Sequence, residues 1–254
     1  MAEKKEVTLT NEGITPHNPL EGERPEFTIN LHDGSEEQVT IVVVHKDRPE
    51  YLNLCLQSIA VTSFANNYEI IVVDNGSGEE SQAFLDDIED EVKLIRNKKN
   101  EYWAAAANKG ADAADKSSKY IIFLHCDVII TNSAWIDLLI NVSESQGAGF
   151  VGVDFASYMM GNQKIEFLQE YCCLFTKECW DDVGPWEEKL PQVGTSFVMT
   201  MKTQNAGHKP QVMRNPICHH YRIFALSINE WERFTEEAMA TLPKLITDIR
   251  TEAV

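Results

Sequence analysis

Three side chains that can bind metal ions, His125, Cys126 and Asp127, stand together in the middle of the chain. They directly follow residues 120–124, a run of β-branched and aromatic residues typical of a strand covered on both faces in a parallel sheet. In an open α/β sheet, ligands bind in the crevice beyond the carboxyl ends of the strands. Asp127 therefore stands where a nucleotide or its metal ion would be held. The pattern also fits a second role, in which Asp127 caps a turn or the helix that begins near Ser133.

Two earlier apolar runs also end in polar turns. Residues 39–44 read VTIVVV and lead into the turn HKDRP, whereas residues 69–73 read EIIVV and end in Asp74. The carboxyl ends of parallel strands meet at one edge of a sheet, so both turns should reach the edge that carries Asp127. Asp74 also fits a purely structural role, as an aspartate that caps its own turn.

Helical segments separate these strands. After Pro49, apolar residues recur at the spacing of one buried helix face: Leu52, Cys55, Leu56, Ile59 and Ala60. A helix over residues 80–89 and a short strand over 92–96 follow, and residues 102–114 predict a helix of small residues that packs closely on the sheet. This alternation predicts an α/β fold with a doubly wound, nucleotide-binding sheet.

Composition and charge limit the class of protein. The chain has 254 residues and 43% hydrophobic content, enough for one compact domain. The amino terminus is charged and polar, and no apolar run reaches the roughly 18 residues of a membrane span, so we expect a soluble, cytoplasmic protein. A net charge of -18 argues against broad nucleic-acid binding. Arg96, Lys98 and Lys99 form either a local site for a phosphorylated ligand or a solvated loop.

Six cysteines lack the spacing of a disulfide framework or a zinc site, and we expect them to be reduced and mostly packed in the core: Cys55, Cys126, Cys172, Cys173, Cys179 and Cys218.

The ordered segments VTIVVVHKDRPEYLNLCLQSI, YEIIVVDNGSGEES and NKGADAADKSSKYIIFLHCDVIIT resemble the amino-terminal half of family 2 glycosyltransferases. The resemblance covers about residues 38–135. Weaker similarity continues in the GPWEE segment at 184–188, in a helix that ends at Gly207, and in ICHH at 217–220. The resemblance implies a GT-A fold, a Rossmann-like mixed sheet flanked by helices, followed by a carboxyl-terminal helical segment.

In that family a D-x-D element holds a divalent cation, and the resemblance places Asp127 at its second carboxylate. His125 replaces the first carboxylate, and His219 or His220 would complete the site. Imidazole ligands suit Mn2+ better than Mg2+, although either ion fits the family pattern.

The resemblance also implies a nucleotide-diphosphate sugar as the donor, of the UDP or dTDP type. Asp74 would accept a hydrogen bond from N3–H of uracil or thymine. The residues expected at the donor site are His45, Asp47, Arg48, Asp74, Asn75, Trp103, Asn108, His125 and Cys126. The acceptor would be a carbohydrate or another hydroxyl compound.

A catalytic base is harder to assign, because the family position falls on Thr195 and Ser196, which cannot act as bases at neutral pH. Other carboxylates could take the role: Glu170, Asp181, Glu187 and Glu188. Glu187 and Glu188 also fit ordinary surface charge. Two other functions stay open, a catalytically inactive nucleotide-binding module and a sugar nucleotidyltransferase, although HKDRPE lacks the glycines expected of the latter.

The predicted organisation has three parts. Residues 1–37 form a polar extension, residues 38–222 the catalytic domain with a donor half (38–135) and an acceptor half (136–222), and residues 223–254 carboxyl-terminal helices. An apolar stripe in this last part predicts two helices broken near Pro243: Phe224, Ile228, Trp231, Phe234, Thr235, Met239, Leu242, Leu245, Ile246 and Ile249. The stripe should pack on the catalytic domain or on a second copy of the chain, as a homo-oligomer.

Overall fold

The computed structural model describes residues 39–63, 67–160, 163–222 and 228–252, so the predicted amino-terminal extension and Phe224 lie outside it. The described strands are β1 (Val39–His45), β2 (Tyr68–Asp74), β3 (Lys93–Arg96), β4 (Tyr120–His125), β5 (Val128–Ile130), β6 (Ala148–Gly152), β7 (Phe155–Met160), β8 (Gln163–Leu168), β9 (Cys172–Thr176), β10 (Lys209–Val212) and β11 (Cys218–His220). The described helices are α1 (Pro49–Thr62), α2 (Glu79–Asp87), α3 (Tyr102–Asp112), α4 (Trp135–Gln146), α5 (Lys177–Val183), α6 (Thr195–Asn205) and α7 (Ile228–Glu252).

Seven strands form a central mixed sheet in the order β10-β6-β9-β4-β1-β2-β3. β1 is parallel to β2 and β4, whereas β9 is antiparallel to β4 and β6. Strands from both predicted halves of the catalytic domain therefore share one sheet. Two small ribbons accompany it, one of β5 with β11 and one of β7 with β8. The predicted α/β class with a mixed, Rossmann-like sheet is confirmed.

Helices cover the sheet on both faces. Buried side chains of α1, α2 and α4 pack in one apolar cluster, and those of α3, α5 and α6 contribute to a second cluster. The small residues of α3 allow the predicted close approach, since a Cβ at Gly110 would lie 2.3 Å from Cγ1 of Val42. All seven residues of β1 are buried, as expected for a central strand covered twice.

Helix α7 corrects one prediction, because it runs continuously through Pro243 where two helices were expected. A proline inside a helix leaves the carbonyl four residues earlier, here that of Met239, without its usual donor. Pro243 and Met239 are both exposed, so water can satisfy that carbonyl. The opposite face stays continuous and buries its apolar side chains against α6 and Leu190: Phe234, Ala238, Leu242, Leu245, Ile246 and Ile249.

The same helix leaves Trp231 and Met239 exposed, at 42% and 47%, so these two members of the predicted stripe do not join its buried face. Most of the stripe already packs within one chain, and association of two copies stays a prediction. No described helix combines the length and apolar character needed to cross a bilayer. The six cysteines are free thiols, as predicted.

Candidate active site

The ribbon of β5 and β11 brings a late histidine to the end of the central strand. β4 ends at His125, and the chain turns through Cys126 and Asp127 directly into β5. In the antiparallel register, His220 lies opposite Val128, and the Tyr221 amide donates to the Asp127 carbonyl at 3.1 Å. Side chains alternate along a strand, so only one of the two adjacent histidines can face Asp127.

The histidine that does so is His220, and with His125 and Asp127 it forms a compact cluster. One ligand atom from each residue lies within 4.8 Å of the other two. His220 Nε2 is 3.3 Å from Asp127 Oδ1, and the Tyr171 ring stacks on His220 at 4.3 Å. His219 is exposed and outside this cluster. The structure therefore brings together three of the four side chains predicted as metal ligands.

Two nitrogens of this cluster have no hydrogen-bond partner among the described residues, although both are buried: His125 Nε2 and His220 Nδ1. Buried polar atoms are rarely left unpaired, and each unpaired group calls for a ligand or another explanation. Burial, together with the neighbouring His220, lowers the pKa of His125 from 6.5 to about 4, against the opposing effect of Asp127. The neutral imidazole is the form that binds metal. Two imidazoles and one carboxylate fit a divalent ion such as Mn2+.

A cavity of about 290 Å³ lies beside the cluster, and His125, Asp127 and His220 form part of its wall. Three cationic side chains also line it: Lys46, Arg48 and Arg222. The chain carries a net charge of -18, yet at this wall the three cations outnumber the two carboxylates, Asp127 and Glu170. Such an arrangement suits a phosphorylated ligand.

Five of the predicted donor-site residues line this cavity: Arg48, Asn75, Trp103, His125 and Cys126. Asn75 is held by its neighbours, since its Nδ2 donates to Asn100 Oδ1 and its Oδ1 accepts from the Glu101 amide. Trp103 is 6% exposed, and its indole N–H has no partner among the described residues. Trp103 therefore offers a buried donor at the cavity wall.

Asp74 and His45, predicted at the same site, do not line the cavity. Asp74 is fully buried, and its carboxylate accepts from the Ser77 amide at 3.1 Å and from Gln82 Nε2 at 2.6 Å. His45 Nε2 lies 3.2 Å from Ser81 Oγ. Burial lowers the pKa of His45 to about 4, although Asp74 and Asp47 act in the opposite direction. Both side chains therefore contact α2, His45 through Ser81 and Asp74 through Gln82, and Asp74 also contacts its own turn through Ser77.

Asp47 and Asn108 likewise contact other parts of the chain. Asp47 Oδ1 accepts from the Gly78 amide at 2.7 Å and so joins the turns after β1 and β2. Asn108 Oδ1 accepts from the Trp186 amide at 2.8 Å, while its Nδ2 donates to Glu188 at 2.9 Å. This pairing attaches α3 to the GPWEE segment.

Glu170 and Glu187, two of the four candidate bases, are placed differently. Glu170 is half-buried and lines the cavity. Burial raises its pKa, while a hydrogen bond from Ser196 acts in the opposite direction. Glu187 does not line the cavity, and its Oε1 accepts from the Lys189 amide at 3.1 Å. Glu170 thus contacts Ser196, one of the two residues to which the resemblance assigned the position of the base.

Sequence reasoning missed several residues of the cavity wall: Lys46, Gln169, Tyr171, Gln192, Arg222 and Trp231. Lys46 lies within the polar turn already noted, whereas Arg222 lies beyond the end of β11 with a φ of 57°, so strand alternation does not predict its orientation. Gln169 and Gln192 lie in loops, where no periodic pattern in the sequence predicts their position.

The mixed sheet and its flanking helices have the fold of the GT-A glycosyltransferases. The mannosyltransferase PcManGT from Pyrobaculum calidifontis, solved with GDP-Man and Mn2+, superposes with a TM-score of 0.61 at 13% identity, over 78% of this chain and 60% of that one. S. aureus TarS residues 1-349, solved with UDP-GlcNAc, gives a TM-score of 0.55 at 11% identity, over 78% and 64%.

Sequence comparison then defines the family. The family described as "Glycosyl transferase family 2" matches residues 40–222, and the chain therefore belongs to glycosyltransferase family 2. The O-antigen biosynthesis protein RfbC of Myxococcus xanthus is 30% identical over 118 residues, which cover 45% of this chain and 9% of RfbC. The chain thus spans only part of each of these relatives. The predicted family and fold are confirmed.

Proposed function

We propose that this protein transfers a sugar from a nucleotide-diphosphate donor to an acceptor hydroxyl with the help of a divalent cation. The observation that carries the proposal is the His125, Asp127 and His220 cluster, with its unpaired imidazole nitrogens, at the wall of a cationic cavity. The nucleotide-sugar complexes of PcManGT and TarS support the class of donor, and Mn2+ in PcManGT supports the ion. A UDP or dTDP donor is part of the proposal.

In this proposal, one group of residues binds the cation and a second, basic group binds the phosphates. His125, Asp127 and His220 would hold the cation, which when bound stabilises the negative charge of the leaving diphosphate. Lys46, which pairs with Asp47 at 2.6 Å, Arg48 and Arg222 line the same cavity and would bind phosphate oxygens. The Trp103 N–H would donate to the donor, which would satisfy an otherwise unpaired group.

Glu170 is the proposed base for the acceptor hydroxyl. A carboxylate with a raised pKa accepts a proton more readily than an exposed one, and Glu170 has both the raised pKa and access to the cavity. Ser196 donates a hydrogen bond that would hold the carboxylate in place. In this proposal Glu170 takes over the role that the family assigns to the position of Ser196.

The test is calorimetric titration of the full chain with UDP, dTDP and GDP, each with Mn2+, Mg2+ or chelator. We expect one nucleotide to bind in the presence of Mn2+, and chelator or Asp127→Asn to remove that binding. Glu170→Gln should keep nucleotide binding and lose transfer. Nucleotide binding without turnover of any nucleotide sugar, by transfer or by hydrolysis, would instead support the inactive binding module.

A further inference from the structure

Helix α7 begins beyond residue 222, where the match to the family ends, yet it is attached to the cavity wall. Phe234 is 4% exposed and meets the Tyr102 ring edge-on at 4.7 Å. Arg233 Nη2 lies 3.4 Å from the Tyr102 hydroxyl. The Tyr102 carbonyl in turn accepts from Asn75 Nδ2 at 3.0 Å, and Asn75 lines the cavity. These contacts fix the position of the first turns of α7 relative to the site.

Trp231 stands three residues before Phe234, so the two side chains occupy neighbouring positions on the helix. Phe234 is buried as the anchor, whereas Trp231 is 42% exposed and lines the same cavity as Asp127 and Glu170. A large apolar ring that is partly exposed at the wall of a cavity offers a surface on which a bound ligand can pack.

We propose that Trp231 is the stacking surface for the acceptor and that the acceptor presents an uncharged pyranose ring there. The inference rests on the proposed function and specifies its acceptor. A pyranose has an apolar face of C–H groups and a rim of hydroxyls. The indole buries the apolar face. Gln169 and Gln192, which also line the cavity, carry amides that can both donate to and accept from hydroxyls.

The charge around Trp231 determines the class of acceptor. Glu230 and Glu232 stand on either side of it in the sequence, and the whole chain is strongly acidic. Arg233, the nearest cation on α7, lies 3.8 Å from Glu237 and over the Phe234 ring. Lys46, Arg48 and Arg222 at the cavity wall are assigned to the donor diphosphate, so a phosphorylated or carboxylated acceptor on Trp231 would meet the carboxylates of α7 and be repelled. An uncharged sugar avoids that cost.

The experiment compares Trp231→Ala with a matched variant, Met239→Ala. Met239 is 47% exposed on the same helix and does not line the cavity. Full-length wild type and variants, loaded with Mn2+ and the nucleotide diphosphate that wild type binds, are applied to an array of neutral and anionic oligosaccharides. We expect wild type and Met239→Ala to bind the same neutral glycans, and Trp231→Ala to lose about tenfold or more in affinity. Trp231→Phe should retain most of the binding.

Nucleotide affinity, measured in parallel, separates this inference from the function on which it rests. If wild type binds no nucleotide with Mn2+, the proposed function fails. If nucleotide binding is normal but Trp231→Ala keeps its glycan affinity, or wild type binds only anionic glycans or none, the acceptor inference is wrong. A Trp231→Ala protein that loses nucleotide affinity instead would place Trp231 at the donor and overturn the inference as well.

Discussion

Two neighbouring strand ends in the sheet carry the same kinds of side chain and use them differently. At the β1–β2 end, His45 lies in register with Asp74; at the β4 end, His125 is followed by Asp127. Both aspartates are buried, and burial lowers the pKa of both histidines to about 4. Asp74, however, accepts hydrogen bonds from its own turn, whereas Asp127 faces a second imidazole and a cavity.

The comparison shows that carboxylates at the ends of neighbouring parallel strands can have very different surroundings. The two ends differ in whether their polar side chains find hydrogen-bond partners within the chain. The Asp74 carboxylate accepts hydrogen bonds from two donors close in sequence, the Ser77 amide and Gln82 Nε2. The cluster at Asp127 leaves His125 Nε2 and His220 Nδ1 without partners among the described residues. His45 also has an unpaired nitrogen, Nδ1, but it does not line the cavity.

The largest effect should come from Asp127→Asn. The amide keeps the shape of the side chain and removes the negative charge that holds the cation, so transfer should fall by about a hundredfold or more. Thermal unfolding should change little, because asparagine keeps the volume of the side chain and an oxygen that can still accept from His220 Nε2. Steady-state rates with Mn2+ and a nucleotide sugar, beside a melting curve, provide the measurement. Full activity of this variant, or of wild type in excess chelator, would exclude the metal mechanism.

A substitution of the aspartate at the other strand end should act on stability. Asp74→Ala leaves the Ser77 amide and the Gln82 side chain without their acceptor in a buried turn, and we expect a loss of about 3 kcal/mol in the free energy of unfolding. Chemical denaturation measures that loss, and Asp127→Asn serves as its control. Titration of the folded variant with UDP tests the base-binding role expected from the family. If affinity falls about tenfold while stability is unchanged, Asp74 contacts the donor and the comparison fails.

Local patterns in the sequence predicted much of the fold, and pairings between distant segments explain what they did not predict. The strands and helices up to β4 follow apolar periodicity, which each segment carries by itself. The choice of His220 over His219 depends on the register of β11 against β5, about 90 residues earlier, and alternation alone allows either. The contact of Glu170 with Ser196 joins a loop to a helix and has no local signature. The continuity of α7 through Pro243 depends on which face is solvated.

The pH dependence of stability tests the burial of His45 at the β1–β2 end. In the unfolded chain, His45 takes up a proton below about pH 6.5, whereas in the folded chain it does so only near pH 4. The unfolded state therefore binds more protons between these values, and stability must fall as the pH is lowered through them. From pH 7 to pH 5, His45 should account for a loss of about 2 kcal/mol.

The measurement is denaturation of metal-free wild type and His45→Gln at both pH values. The variant should show a smaller decrease in stability on acidification, because the remaining titrating groups are common to both proteins. Equal decreases would mean that His45 is protonated to the same extent in the folded and unfolded states.

The smallest expected effect distinguishes two buried tryptophans, each of which has an indole N–H without a partner among the described residues. Trp103 and Trp186 lie 4.8 Å apart, and neither indole nitrogen has a partner among the described residues. Only Trp103 lines the cavity. Phenylalanine at either position removes the donor and part of the packing, so both variants should lose similar stability. Trp103→Phe alone should also raise the KM for the nucleotide sugar, by about tenfold, the value of one hydrogen bond. Equal KM values in the two variants would show that the Trp103 N–H is not a donor-binding group and that its burial has another cause.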